Sequence, residues 1–291
     1  MKILNFGSIN IDHVYDVPWF VKPGETLTST AYNTFAGGKG FNQSVALARA
    51  GANVFHAGKI GQDGAWLKQM LDDNGVNTDC IVTDETPTGH AIIQISPEGE
   101  NSIILYSGAN RVITDEEIAH SMATLQPGDW LLLQNEINGL PEILKQAVDK
   151  ELTIVFNPAP MTPDIKDLPL HLVGMLVVNE IEGQALADSD DPDTILKTLH
   201  QRYPDCRIVL TLGGDGVLYA DATSTLTQPI FEVPVEDTTG AGDTFTGYFV
   251  AALMAGESTK EALRDACRAS SICVTRKGAA DSIPHKAELK T

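Results

Sequence analysis

Cysteine is scarce in this sequence: four residues, at positions 80, 206, 267 and 273, with no C-x-x-C pair. Such a set offers no disulfide framework, and reduced thiols in a cytoplasmic protein are the simplest reading. The seven histidines include no two at i, i+4 spacing, so no zinc motif is present. Basic charge is also short. Against 20 Lys and Arg stand 39 Asp and Glu, a formal net charge of −19. The resulting field repels polyanions and argues against nucleic acid or an anionic membrane as a partner. It leaves room for a small anionic ligand, for which a helix N-terminus, one or two cations and Mg²⁺ suffice locally. The first apolar run is interrupted by Asn10 and Asp12, too soon for a signal peptide or a membrane span. Two phosphate motifs are missing as well. There is no Walker G-x-x-x-x-G-K-[ST], and G-S-I-N-I-D stands where a dinucleotide-binding oxidoreductase would carry G-x-G-x-x-G.

What is present is a globular composition, 43% hydrophobic over 291 residues, enough to bury one large core with a small appendage. Short β-rich runs alternate with helical patterns: 2–9 then 42–50, 54–60 then 65–73, 130–134 then 141–150. Residues 152–156, 175–178 and 208–212 are near-continuous apolar segments, as strands covered on both faces must be. The predicted class is α/β, a three-layer α/β/α sandwich around a mostly parallel central sheet. Gly51, Gly75 and Gly256 close helical runs where a left-handed residue is wanted. One region departs from the alternation. Residues 89–95 and 101–106 are extended runs joined by S-P-E-G-E, which reads as a β-hairpin. With 11–17 and 26–35 it would form a small separate sheet, either a lid or an ordinary exposed hairpin.

Three clusters carry chemistry. In D-T-T-G-A-G-D-T-F-T-G (237–247), Gly240, Ala241 and Gly242 open a helix with unpaired N–H groups and no bulky side chains, as an anionic phosphate requires. Asp243 follows in the first turn, within reach of an attacking hydroxyl as a general base, although an acidic residue there also serves as a plain helix cap. In G-G-K-G-F-N-Q (37–43), glycines let backbone amides approach a polyol while Lys39 and Asn42 supply donors. In G-S-I-N-I-D (7–12), Asn10 and Asp12 leave the first strand where an open α/β sheet places its ligand crevice. Each cluster alone is also explained by a turn or a helix cap.

Together, in this order, they resemble the ribokinase, or phosphofructokinase-B-type, family of sugar kinases along nearly the whole chain. The resemblance extends through P-G-E-T (23–26), G-E-N (99–101), G-A-N (108–110), N-P-A-P (157–160), N-E-I-E (179–182), T-L-G-G-D-G (211–216) and V-T-R-K-G-A (274–279). It implies a single kinase domain over 1–291, with a β-sheet lid formed by about 11–35 and 88–107, and an ATP-dependent transfer to a primary hydroxyl of a small sugar, D-ribose first. Other sugars, nucleosides and a catalytically silent sugar sensor are the alternatives.

The resemblance assigns sugar contacts to Asn10, Asp12, Gly38, Lys39, Asn42 and Glu136, and the base to Asp243. It assigns the nucleotide to Asn179, to the turn Thr211, Gly213, Gly214, Asp215 and Gly216, and to the anion hole at Gly240 to Gly242. Glu182 would organise Mg²⁺ through water, consistent with that ion's retained hydration. A K⁺ ion would sit among Asp237, Thr239 and Ser282 and backbone carbonyls near Cys273, Arg276 and Gly278. The resemblance also implies a homodimer formed lid against lid. Phe41 is bulkier than the family's usual alanine and is expected to reshape the sugar pocket. Cys267 falls near the adenine pocket, where relatives are often more polar.

Overall fold

The computed structural model describes residues 1–290. Among them, one sheet has nine strands: β1 (Ile3–Phe6), β4 (Val54–Gly61), β5 (Asn77–Asp84), β8 (Trp130–Gln134), β9 (Thr153–Asn157), β10 (Met175–Asn179), β11 (Arg207–Thr211), β12 (Val217–Ala220) and β13 (Thr225–Gln228). Their order is β13-β12-β11-β10-β9-β8-β1-β4-β5. From β11 to β5 all neighbours are parallel, and β12 and β13 add an antiparallel edge.

Period-2 alternation makes both faces of this sheet apolar, so helices must cover each. Ile3, Leu132, Val155 and Val209 face α1 (Lys39–Arg49), α2 (Ala65–Asp73), α7 (Ala241–Met254) and α8 (Thr259–Cys273), whose Val45, Leu67, Phe249 and Leu263 belong to the same core. The neighbouring residues Leu4, Leu131, Ile154 and Ile208 join Ile118, Leu144, Leu186 and Ile195 of α3 (Asp115–Ala123), α4 (Leu140–Asp149), α5 (Glu180–Ala187) and α6 (Pro192–Arg202). The three-layer α/β/α class predicted from the sequence is the observed one. No helix among the described residues is long and apolar enough to cross a membrane.

A second sheet has, among the described residues, four strands in the order β3-β2-β6-β7, with β2 (Asn10–Asp16), β3 (Ala31–Gly37), β6 (Gly89–Ile95) and β7 (Asn101–Tyr106). The hairpin β6-β7 is antiparallel, as its turn composition predicts. The strand expected over 26–35 instead begins at Ala31, because its partner β2 ends at Asp16, the residue paired with Ala31. The first strand expected over 2–9 stops at Phe6, and the chain re-enters the second sheet at Asn10. These shifts place the site. The strand order reverses between β1 and β8, so the crevice opens at their carboxyl ends, where Asn10 and Glu136 follow.

Candidate active site

The helix predicted over 42–50 begins earlier, at Lys39, and the reason lies in Gly38. Its φ is 92°, and a Cβ there would come within 3.0 Å of the Ser8 carbonyl and 3.1 Å of the Asn10 amide. Only glycine lets the N-terminus of α1 sit against the link between β1 and β2. The Lys39 amide donates to Glu136 Oε2 at 2.9 Å, and the Ser8 hydroxyl bonds the same oxygen. Asn10 is buried, and its Oδ1 accepts from Asn110 Nδ2 at 2.7 Å. Asn110 in turn accepts from the Ile9 amide at 3.0 Å. Asn10, Asn110, Arg111, Glu136 and, from the second sheet, Leu105 line one crevice.

Burial, and secondarily the Glu136 carboxylate, raise the Asp12 pKa to about 6. Ionised Asp12 accepts hydroxyl hydrogen bonds; once protonated, it gives up part of that capacity. The sign follows: the carboxylate is charged above about 6 and is lost as pH falls through that value. The sugar KM at saturating ATP is therefore expected to rise severalfold between about pH 7 and about pH 5.5. A flat KM across that range contradicts this role for Asp12.

Asp243 lies in the first turn of α7 and is buried. Gly247 makes its approach to α1 possible, since a Cβ there would lie 2.4 Å from Ala46 Cβ and 2.8 Å from the Leu47 amide. With the two helices this close, Asn42 Nδ2 donates to Asp243 Oδ2 at 3.0 Å and Gln43 Nε2 to Oδ1 at 2.8 Å. Asn42 Oδ1 is buried without a protein partner and is free to accept a ligand hydroxyl. Burial alone would lower the pKa of the Lys39 ammonium, yet Asp243, Glu136 and Glu182 together hold it above the usual lysine value. Lys39 is thus a cation fixed among three carboxylates.

Two adjoining cavities meet at this point. One of about 250 Å³ is lined by Lys39, Asn179, Glu182, Thr211, Gly240, Gly242 and Asp243. The other, about 540 Å³, runs outward past Gly213, Gly214, Gly216, Phe231, Phe245 and Cys267. Asp215 does not line either cavity. Gly240, with φ 77°, turns the chain into α7. The predicted trio of free amides is corrected here: Ala241 N–H is taken by the Thr238 carbonyl at 3.2 Å because the turn closes on itself. Among the described residues, the Gly240 and Gly242 N–H groups have no backbone acceptor outside the helix. Asn179 and Glu182 form a reciprocal capping box at the start of α5, with bonds of 2.8 and 2.9 Å. Burial raises the Glu182 pKa, opposed by the Asn179 amide and by Lys39.

The residues expected around K⁺ converge on one corner. Asp237 Oδ1 accepts from the Thr239 amide at 2.9 Å and its hydroxyl at 2.6 Å, and Oδ2 accepts from the Gly278 amide at 2.9 Å. Ser282 Oγ donates to the Ala279 carbonyl at 2.7 Å and lies 3.0 Å from Cys273 Sγ. The Arg276 amide donates to the Cys273 carbonyl at 3.1 Å. The donor set is mostly carbonyl, hydroxyl and carboxylate oxygen, which suits a hard cation. Among the described residues there is no group of three or more His, Cys, Asp and Glu placed to hold a metal ion.

Two expectations about unusual residues end differently. Cys267 does line the larger cavity, and burial pushes its thiol up to about 12. Phe41 lines neither cavity nor the crevice beside Asn10, being fully buried in the core that includes Ile9, Ile11 and Ala36. Sequence reasoning missed Asn110, Gln43 and Asn157, whose Oδ1 accepts from Gln43 Nε2 at 3.2 Å. The first stands in the G-A-N motif, and only its burial beside Asn10 shows what it does.

The profile of the pfkB family carbohydrate kinases matches residues 1–286. The chain belongs to this family of carbohydrate kinases. It is 39% identical to the ribokinase of Haemophilus influenzae, over 97% of this chain and 95% of that one. Among solved structures, the ribokinase of Cryptococcus neoformans var. grubii in complex with ADP superposes with a TM-score of 0.87 at 38% identity, covering 99% of this chain and 98% of that one. The Arabidopsis thaliana ribokinase complexed with ribose and ATP gives a TM-score of 0.89 at 29% identity, covering 99% and 97%.

Proposed function

We propose that this chain transfers the γ-phosphoryl group of ATP to the primary hydroxyl of D-ribose, giving ribose 5-phosphate and ADP. The observation that carries this reading is the position of Asp243. It stands beside the Gly240 and Gly242 amides, in the cavity that also holds Lys39, whose own amide binds the Glu136 of the sugar crevice. The relatives solved with ribose and ATP, and with ADP, support the same pairing of ligands.

In this mechanism Asn10, Asp12, Glu136 and Asn42 Oδ1 orient the sugar so that one hydroxyl faces Asp243. Asp243 accepts its proton as the oxygen attacks phosphorus in line. The amides of Gly240 and Gly242 and the Lys39 ammonium stabilise negative charge as it shifts to the departing ADP oxygen. Glu182 would hold Mg²⁺ through water, and the ion would neutralise charge on the phosphates. Asp237, Thr239 and Ser282 would hold K⁺, whose charge would steady the loop leading into α7. The second sheet acts as a lid on a single kinase unit, excluding water and so limiting wasteful ATP hydrolysis.

Two further parts of the reading concern assembly and place. Ile104 and Tyr106, on the face of β7 opposite the crevice-lining Leu105, are 62% and 48% exposed, an apolar pair that a second lid would cover in a homodimer. Sedimentation at micromolar concentration is expected to show a dimer, and monomer alone contradicts it. The four free, buried thiols suit a cytoplasmic location.

The direct test is ADP release with Mg²⁺-ATP and K⁺ over ribose, deoxyribose, fructose and several nucleosides, with a no-sugar control. Ribose is expected to give the highest kcat/KM, and omission of K⁺ to lower the rate. A different preferred acceptor overturns the choice of sugar, equal rates without K⁺ overturn the cation site, and no stimulated release overturns the kinase reading.

A further inference from the structure

The carboxylate of Asp243 is tied to a line of buried polar side chains that sugar and phosphate binding do not account for. An ionised carboxylate only accepts, so the side chains touching it must present nitrogen. Gln43 Nε2 therefore faces Asp243 Oδ1, and its own oxygen turns away to accept from Gln134 Nε2 at 2.7 Å. Gln134 Nε2 also donates to Asn5 Oδ1 at 2.9 Å, which directs Asn5 Nδ2 to Ser44 Oγ at 2.8 Å. The Ser44 hydroxyl, 2.7 Å from His56 Nδ1, has its proton left for that nitrogen. His56 is neutral, its pKa pushed down to about 4 by burial, and its Nε2 ends the line without a hydrogen-bond partner. The directions along the line agree with a carboxylate at Asp243, and two outside acceptors favour the same orientation: Asn157 Oδ1 accepts from Gln43 Nε2 at 3.2 Å and the Gly40 carbonyl from Asn5 Nδ2 at 2.7 Å.

Asn5, Gln43, Ser44, Gln134 and His56 are all fully buried. The arrangement carries a cost, since Gln134 Oε1 is left without a partner and a buried unpaired carbonyl costs about 1–3 kcal/mol. It does connect α7 to the rigid centre of the sheet: Asn5 lies in β1 and Gln134 in β8, the strands at which the strand order reverses. Two donors on two different oxygens stop the carboxylate from rotating. We propose, on the reading of Asp243 as the base, that Gln43 is a positioning residue, held by Gln134, that fixes the orientation of the Asp243 carboxylate toward the attacking hydroxyl.

A double-mutant cycle on the full chain tests this, with kcat and both KM values measured using ribose, Mg²⁺-ATP and K⁺. Gln43→Met keeps the length of the side chain and removes the donor. It is expected to lower kcat on the order of 10- to 100-fold, the scale of a misaligned reacting group, while both KM values stay near wild type. In an Asp243→Asn background the same change is expected to alter kcat by less than about twofold, because no carboxylate remains to be aimed. A residue that merely fills the core lowers kcat by the same factor in both backgrounds, and that result overturns the proposal. Wild-type kcat in Gln43→Met, or a loss confined to KM, overturns it too. Should Gln43→Met fail to fold, Gln134→Met enters the same cycle, with a smaller loss and the same non-additivity expected, and additivity there counts against the proposal. Turnover of the unmodified chain is measured first. Its absence removes the reaction and this role together, whereas normal turnover beside a silent Gln43→Met removes the role alone.

Discussion

Asp243→Asn is expected to keep the fold and the affinity for sugar while kcat falls by roughly 1,000-fold, within the range general-base catalysis supplies. The fold survives because asparagine has the shape of aspartate and the α1–α7 contact, set by Gly247, is untouched. A modest loss of stability is expected nonetheless. Asn42 and Gln43 each point an NH₂ group at this residue, and an amide accepts from only one of them comfortably. The other donor is left facing a donor, worth about 1 to 3 kcal/mol when buried. Calorimetric titration of the sugar beside kcat separates the effects: intact binding with collapsed turnover is the predicted pattern. Near-normal turnover removes Asp243 as the base and leaves it a cap at the start of α7.

The second large effect is predicted at Gly242. A Cβ on this residue meets no heavy atom within 4 Å, so a side chain there projects into the open cavity rather than into the protein. Gly242→Leu is accordingly expected to raise helix stability slightly, by up to about 1 kcal/mol, since glycine is a poor helix former. Activity goes the other way. The leucine side chain occupies the space into which the Gly242 N–H points, and losing access to one such donor lowers turnover roughly 100- to 1,000-fold. A variant that melts no lower than wild type yet fails with ATP separates a blocked phosphate site from a damaged fold. Unimpaired kinetics would show that the phosphate does not approach the start of α7.

The layered sheet was legible because its signal is local. Paired apolar residues such as Ile3 and Leu4, or Leu131 and Leu132, belong to strands covered on both faces and need no knowledge of distant sequence. The turn that carries Asp243 was legible for the same reason: closely spaced glycines before an apolar run mark a turn into a helix wherever they fall. What the sequence did not carry were contacts between distant segments. Gln43 and Asp243 are 200 positions apart, and Asn5 and Gln134 read as ordinary polar residues in short strands until parallel pairing sets them together. The expectation that Phe41 reshapes the sugar pocket came from its bulk beside the family's usual alanine, and bulk alone does not reveal that the ring packs wholly into the core. The Ala241 amide was misjudged similarly, because the turn's internal bond to Thr238 depends on backbone geometry that composition does not reveal.

The central claim is that phosphate moves from ATP to a primary sugar hydroxyl, and ³¹P NMR of the chain incubated with ribose, ATP and Mg²⁺ reads it directly. The account predicts a new phosphomonoester resonance, split by the two protons of the adjacent CH₂ group, growing in step with ADP. ATP left intact, or ADP accompanied only by inorganic phosphate, would contradict it.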